Sequence, residues 1–195
     1  MGERLPTEGR VEEPVKHRLS VADFLRMAEV GILREDDRIE LIEGELIDMA
    51  PIGSKHLSMV AVLSEMLTLA ASGKAFIISQ SPVILSEDSQ PEPDLVLLKP
   101  RADHYSTALP TPSDVLLLIE VADTTLDYDR NTKIPLYART GIPEVWLVNL
   151  KDNSIEVYRE PSAAGYKLIL RPAAEDSISP TQFSEFSLKP KDLFD

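Results

Sequence analysis

The sequence contains no cysteine, which excludes a disulfide framework and any thiolate metal site and makes a reducing cytoplasm the natural compartment to expect. It also has no apolar stretch long enough to span a bilayer, and its first ten residues, Met1 to Arg10, lack the apolar core of a signal peptide. No membrane role is expected. Basic residues are in the minority, 20 Lys and Arg against 33 Asp and Glu, for a net charge of -13. A uniformly acidic surface repels nucleic acid and favours cations, so a general polyanion-binding role is disfavoured. Local basic groups can still hold phosphates, and Arg101, Arg130, Lys133 and Arg139 are the candidates. There is no internal repeat and no low-complexity block. What remains is a chain of 195 residues, enough for one domain that buries roughly 70% of its unfolded surface without staples.

Residues 1–18 are polar, rich in Glu and broken by Pro6 and Pro14, and are expected to be disordered, leaving 19–195 as a single domain. Ser20-Val21-Ala22-Asp23 has the form of a capping box ahead of Phe24, Leu25, Met27, Ala28 and Ile32, which predicts a short packing helix ending near Gly31. Residues 38–42 and 45–49 flank Glu43-Gly44, a pair suited to a tight hairpin turn. Alternation puts Arg38, Glu40 and Ile42 on one face of the first strand. Glu40 is a candidate acid, although a solvated strand face is the commoner meaning of such a residue. Ser54 can cap the longest helix, in which Leu57, Val60, Ala61, Leu63, Met66, Leu67 and Ala70 recur at helical spacing until Ser72-Gly73. Its first turn carries Lys55 and His56. A helix N-terminus beside an imidazole suits a phosphate or a water of a metal ion, and an exposed histidine without a role is an equal reading.

Residues 75–79 and 82–85 read as strands, followed by a polar loop at 86–90 and a strand opened by Asp94. An exposed loop at 101–114 leads to a buried strand, Val115 to Ile119, closed by Glu120. After a polar connector from Ala122 to Asp129, a helix is predicted from Arg130 to Thr140, with Lys133, Leu136, Tyr137 and Thr140 on one side. Residues 145–149 form another buried strand, whose Trp146 should pack beside the preceding helix. A hairpin over 154–159 and 166–170 and a tail anchored by Phe183, Phe186, Leu188 and Leu193 complete the chain. Interleaved strands and helices give an α/β fold with a mixed sheet flanked by helices, preceded by an N-terminal helix and hairpin.

Asp94 and Glu120 stand at the edges of apolar runs, where an isolated ionised carboxylate is costly and needs a cation, a donor or a metal. Two of them on neighbouring strands suggest a metal, and oxygen ligands suit Mg²⁺. A metal lowers the pKa of a water and neutralises a phosphoryl group, while a nearby lysine orients the nucleophile or accepts its proton. That combination suits phosphodiester hydrolysis.

Pro93-Asp94 followed by Glu120-Val121-Ala122 resembles the signature of the PD-(D/E)XK nuclease superfamily, with Ala122 where that pattern carries lysine. The order of Ile39-Glu40-Leu41-Ile42-Glu43-Gly44-Glu45-Leu46, His56, Pro93-Asp94-Leu95, Ile119-Glu120-Val121 and the stretch from Lys133 to Trp146 is similar to the Uma-type restriction endonucleases, from about Ser20 to about Leu170. In that family the signature lysine has moved to the following helix, and Lys133 stands where it is expected. The resemblance implies a restriction-endonuclease-like fold, Asp94 and Glu120 as ligands of Mg²⁺ or Mn²⁺ helped by the Val121 carbonyl, Lys133 near the attacking water, and Glu40 as an auxiliary acid. His56 and Tyr137 rank second. DNA is the implied substrate, and a homodimer is compatible with the pattern. The run Val121-Ala122-Asp123-Thr124 departs from the Leu-Ser-Pro-Ser-like segment common in the family. Two further readings stand beside the endonuclease: a catalytically degenerate nuclease fold that binds a partner, suggested by Ala122 and the missing basic stripe, and a hydrolase of a small phosphoester, which requires a closed pocket.

Overall fold

The computed structural model describes residues 15–34 and 36–194. The N-terminal stretch expected to be disordered lies, for residues 1–14, outside the described residues. Arg18 and Leu19 are tied to the following hairpin, because the Arg18 guanidinium donates to the Glu43 carbonyl and the Leu19 N–H to the Gly44 carbonyl. Helix α1 (Val21–Glu29) starts with the predicted capping box between Ser20 and Asp23. It packs less than its pattern suggests: Val21 is its one buried residue, and Leu25, Val30 and Ile32 face outward.

Strands β1 (Ile39–Ile42) and β2 (Glu45–Asp48) pair antiparallel with Ile42 opposite Glu45. Their two-residue turn places Glu43 at φ 48 and Gly44 at φ 77, the doubly left-handed geometry that matches strand twist. A Cβ on Gly44 would lie 2.5 Å from the Arg18 Cβ, so glycine also makes room for the N-terminal strap. Alternation fails on β1: Glu40, Leu41 and Ile42 are all buried, because Gln90 pairs with Leu41 and the 89–92 segment covers this edge. The loop at 86–90 is therefore not a solvated connector, and Ser89 and Gln90 are buried. Nor do residues 82–85 form a strand; they run extended and are held by single hydrogen bonds such as Val83 N–H to the Pro91 carbonyl, 3.0 Å.

The body is a six-stranded sheet in the order β3-β4-β5-β6-β7-β8, formed by β3 (Phe76–Ser79), β4 (Leu95–Leu98), β5 (Val115–Ala122), β6 (Glu144–Asn149), β7 (Ser154–Arg159) and β8 (Leu168–Leu170). All neighbours are antiparallel except β5 and β6. That parallel pair requires a crossover, which is helical. The central strands are buried throughout and largely apolar, with Glu120 the one acid within β5, because both sheet faces are covered. On one face Leu95, Leu97, Leu117, Ile119, Val121, Trp146 and Val148 meet α2 (Ser54–Ala71) and the C-terminal segment, where Phe183, Phe186 and Leu188 are buried. On the other, Val96, Leu98, Leu118, Ala122, Val145 and Leu147 meet the crossover helix. Trp146 thus packs against α2 and Phe186, not beside the preceding helix, because its parity in β6 is opposite to that of Val145 and Leu147.

The crossover begins earlier than its sequence suggests. It runs through α3 (Leu126–Tyr128), a π-helical turn (Asp129–Lys133) and α4 (Ile134–Arg139), so Lys133 sits within the helix and not at its start. A short helix α5 (Lys191–Phe194) closes the described chain. Among the described residues, no helix is long and apolar enough to cross a membrane.

In α2 the buried set is Met59, Val60, Leu63, Leu67 and Ala71, whereas Leu57, expected in the core, is 60% exposed. Met59, Leu63, Leu67 and Ala71 follow an i, i+4 path along one side with Val60 beside it, and position 57 lies off it. Leu63→Ala should therefore cost about 2–5 kcal/mol in urea unfolding and Leu57→Ala less than about 0.5 kcal/mol. Equal losses would contradict this helix orientation.

Candidate active site

Pairing of Leu95 with Ile119 sets Asp94, just before β4, beside Glu120 in β5. Glu120 does not close its strand, which continues through Val121 and Ala122. Its even-numbered parity turns it to the crossover-helix face, together with Leu118 and Ala122. From that helix Lys133 and Tyr137, four residues apart, reach toward it. The Lys133 Nζ donates to Glu120 Oε1 at 3.2 Å and to Glu40 Oε1 at 2.8 Å, and the Tyr137 hydroxyl donates to Glu120 Oε1 at 2.5 Å. Glu40 also accepts the Glu92 N–H at 2.8 Å. These groups are nearly inaccessible to solvent: Glu40 is 2% exposed, Glu120 3% and Lys133 5%.

Asp94 is less deeply buried and is held at both oxygens. Its Oδ2 accepts the Val121 N–H at 2.8 Å, and its Oδ1 lies 3.0 Å from Nε2 of His56, in the first turn of α2. The four groups Glu40, Glu120, Lys133 and Tyr137 form one hydrogen-bonded cluster. Asp94 and His56 form a second, and both clusters border a cavity of about 460 Å³. Arg101, Arg130 and Arg139 are not part of it; they are engaged by Asp103, Glu156 and Glu43 respectively. Five charged residues that sequence reasoning passed over line it instead: Arg38, Asp48, Glu92, Asp123 and Asp129. The signal for Asp129 is its position four residues before Lys133. The π turn, in which the Ile134 N–H donates to the Asp129 carbonyl, keeps both buried.

Negative charge exceeds positive charge here, and the titration behaviour follows. Burial pushes the Glu120 carboxyl up to about 8, with Lys133 opposing and Asp129, Asp94 and Glu40 adding to the rise. Burial also raises Asp129, against the pull of Lys133 and a hydrogen bond from Thr125. Burial works against the Lys133 ammonium, but Glu120, Glu40 and Asp129 outweigh it and hold the group above its ordinary value. The hydrogen bond to Asp94 raises His56. Burial, then the nearby Glu120, keeps Tyr137 protonated well beyond its usual range.

The donor set bears on a metal. Among the described residues no three His, Cys, Asp or Glu side chains form a ready-made cage. Two carboxylates on adjacent strands nevertheless fit the way Mg²⁺ is held, by one or two acids with waters completing the shell. The hydrogen bonds to Glu120 all converge on Oε1, which leaves Oε2 as a ligand atom, and the surplus of acids favours a divalent cation.

A carboxyl whose pKa rises on folding binds its proton more tightly in the native state, so its contribution to stability falls as pH climbs from its ordinary 4.5 to about 8. Metal-free protein should therefore lose stability through Glu120 as pH rises across that window. Urea unfolding between about pH 5 and about pH 8 should show a shallower decline for Glu120→Gln than for the wild type. Identical slopes would contradict the assignment of Glu120 as the proton-binding acid.

A solved structure, a putative nuclease belonging to DUF820 from Anabaena variabilis, matches with a TM-score of 0.72 over 90% of this chain and 97% of that one, at 19% identity. At that identity the match shows the fold, which is the restriction-endonuclease-like mixed sheet expected from the sequence. No curated protein matches the chain. The family model described as Uma2, "Putative restriction endonuclease", matches residues 21–191, nearly all of the described chain, and the protein therefore belongs to the Uma2 family.

Proposed function

We propose that the protein is a Mg²⁺-dependent endonuclease that hydrolyses DNA phosphodiester bonds by attack of water, with Mn²⁺ an effective substitute. The single observation that carries this reading is the buried Lys133 ammonium, held against Glu120 from the crossover helix where Ala122 leaves the strand without a lysine. The absence of cysteine fits action in the cytoplasm.

In this reading Asp94 and Glu120, helped by the Val121 carbonyl, hold the cation. The bound ion supplies charge neutralisation at the phosphoryl group and a water of lowered pKa. His56 fixes one oxygen of Asp94 and the Val121 N–H the other, so the carboxylate is oriented before substrate arrives. Tyr137 does the same for Oε1 of Glu120. Lys133 remains charged and is no proton acceptor. Of its three N–H groups, one points to Glu40 and one to Glu120, which leaves one to orient the water or to stabilise charge on the phosphorus-bound oxygens. Glu40 acts by fixing that ammonium. Residues 19–195 act as one nuclease-like domain.

A second reading, a catalytically degenerate nuclease fold that binds a partner, is favoured by Ala122 and by the engagement of Arg101, Arg130 and Arg139 with acids. Calorimetry and cleavage assays separate the two. The endonuclease reading expects a divalent ion to bind and plasmid or oligonucleotide DNA to be cut, with EDTA abolishing cleavage. It expects Asp94→Asn and Glu120→Gln each to lower the rate by about 10²–10³-fold. No divalent-ion binding together with uncut DNA would leave the binding module.

A further inference from the structure

The cavity beside Asp94 and Glu120 is poor in the groups that grip a duplex. Proteins that hold double-stranded DNA neutralise roughly 6–10 phosphates with free Lys and Arg. Here seven acidic residues line the cavity, against Arg38 and Lys133 as its permanent cations, and Lys133 is already shared by two carboxylates. The arginines of the sheet, its flanking loops and the crossover are also ion-paired, with Arg101, Arg130, Arg139, Arg159 and Arg171 each within 3.1 Å of a carboxylate oxygen. Approach of a continuous phosphate ladder would be met by repulsion.

One wall of the cavity has a different character. The end of β2 and the loop into α2 contribute Ile47, Met49, Pro51 and Ile52, and Ile52 is 41% exposed. Apolar side chains on an open lip suit the face of a nucleobase, which stacks without needing its phosphates neutralised. Asp48 and Glu92 line the same cavity, and carboxylates accept from the amino groups of bases. The volume of about 460 Å³ lies in the range of pockets that enclose one small molecule, the scale of a single nucleotide.

We infer that the cavity takes one unpaired nucleotide of single-stranded DNA, its base against the Ile47–Ile52 lip and its phosphate toward Asp94 and Glu120, in preference to a duplex. The inference rests on the nuclease reading for the position of the phosphate. Its test reads binding separately from cutting. Fluorescence anisotropy of a labelled single-stranded oligonucleotide and of the same strand in a duplex, each with Ca²⁺, should show the single strand bound at least about tenfold more tightly. The slope of log K against log salt should be no steeper than about -2, as expected for two or three phosphate contacts. Ile52→Ser and Met49→Ser, which alter the lip and none of the acids, should each weaken single-strand binding several-fold and leave the affinity for Ca²⁺ unchanged. With Mg²⁺, any cleavage should favour the single strand or an overhang. Equal or tighter duplex binding, lip variants that bind as well as wild type, or no binding of either oligonucleotide would overturn the inference. Preferential single-strand binding without cleavage would uphold it and count against the endonuclease reading instead.

Discussion

The buried ammonium of Lys133, shared between Glu40 and Glu120, is the interaction on which the rest of the site depends. A lysine so far from water is costly unless it is paired, and each acid alone would be costly as well. Three separate parts of the chain must therefore arrive together: the hairpin that carries Glu40, the central strand that carries Glu120 and the crossover helix that carries Lys133. Removing Lys133 leaves two acids buried without their cation. The Glu92 N–H and the Tyr137 hydroxyl supply further donors to the two acids, so the cluster is tied into both the neighbouring loop and the helix.

The same cluster leaves a residual negative charge that points outward to the cavity. Asp129 lies one helical turn before Lys133, and Asp94 stands next to Glu120, so the single buried cation faces several acids. Burial, reinforced by Asp129, Asp94 and Glu40, raises Glu120 against the pull of Lys133, and the surrounding acids keep Lys133 charged against its own burial. The imbalance is also what a divalent cation would relieve, which links the stability of the fold to the chemistry proposed for it. The acidity of the whole chain, an obstacle to a duplex-binding surface, is consistent with a site built around a cation and one nucleotide.

Much of this was legible in the sequence because the signals were local. The capping box at Ser20, the Glu43-Gly44 turn and the apolar runs of β4 to β6 all depend on short-range chemistry. Long-range packing carried the rest. Glu40 reads as a solvated strand residue until residues 89–92 cover β1, and no period within β1 reveals that cover. The helix of Lys133 begins four residues before its apolar periodicity, because a π turn breaks the 3.6-residue repeat between Asp129 and Lys133. Arg38 and Glu92 reach the cavity only through the packing of the hairpin on the sheet, whereas Arg130 and Arg139 are removed from it by Glu156 and Glu43.

The central claim is that a lysine on the crossover helix does the work of the missing strand lysine. Ala122 faces the same side of β5 as Glu120, so a lysine introduced there points toward the same acids. The most direct measurement is the DNA cleavage rate of Lys133→Met alone and combined with Ala122→Lys, under Mg²⁺. The account predicts a fall of about 10²–10³-fold for the single variant and partial recovery in the double variant. A Lys133→Met protein that cuts DNA as fast as the wild type would contradict it.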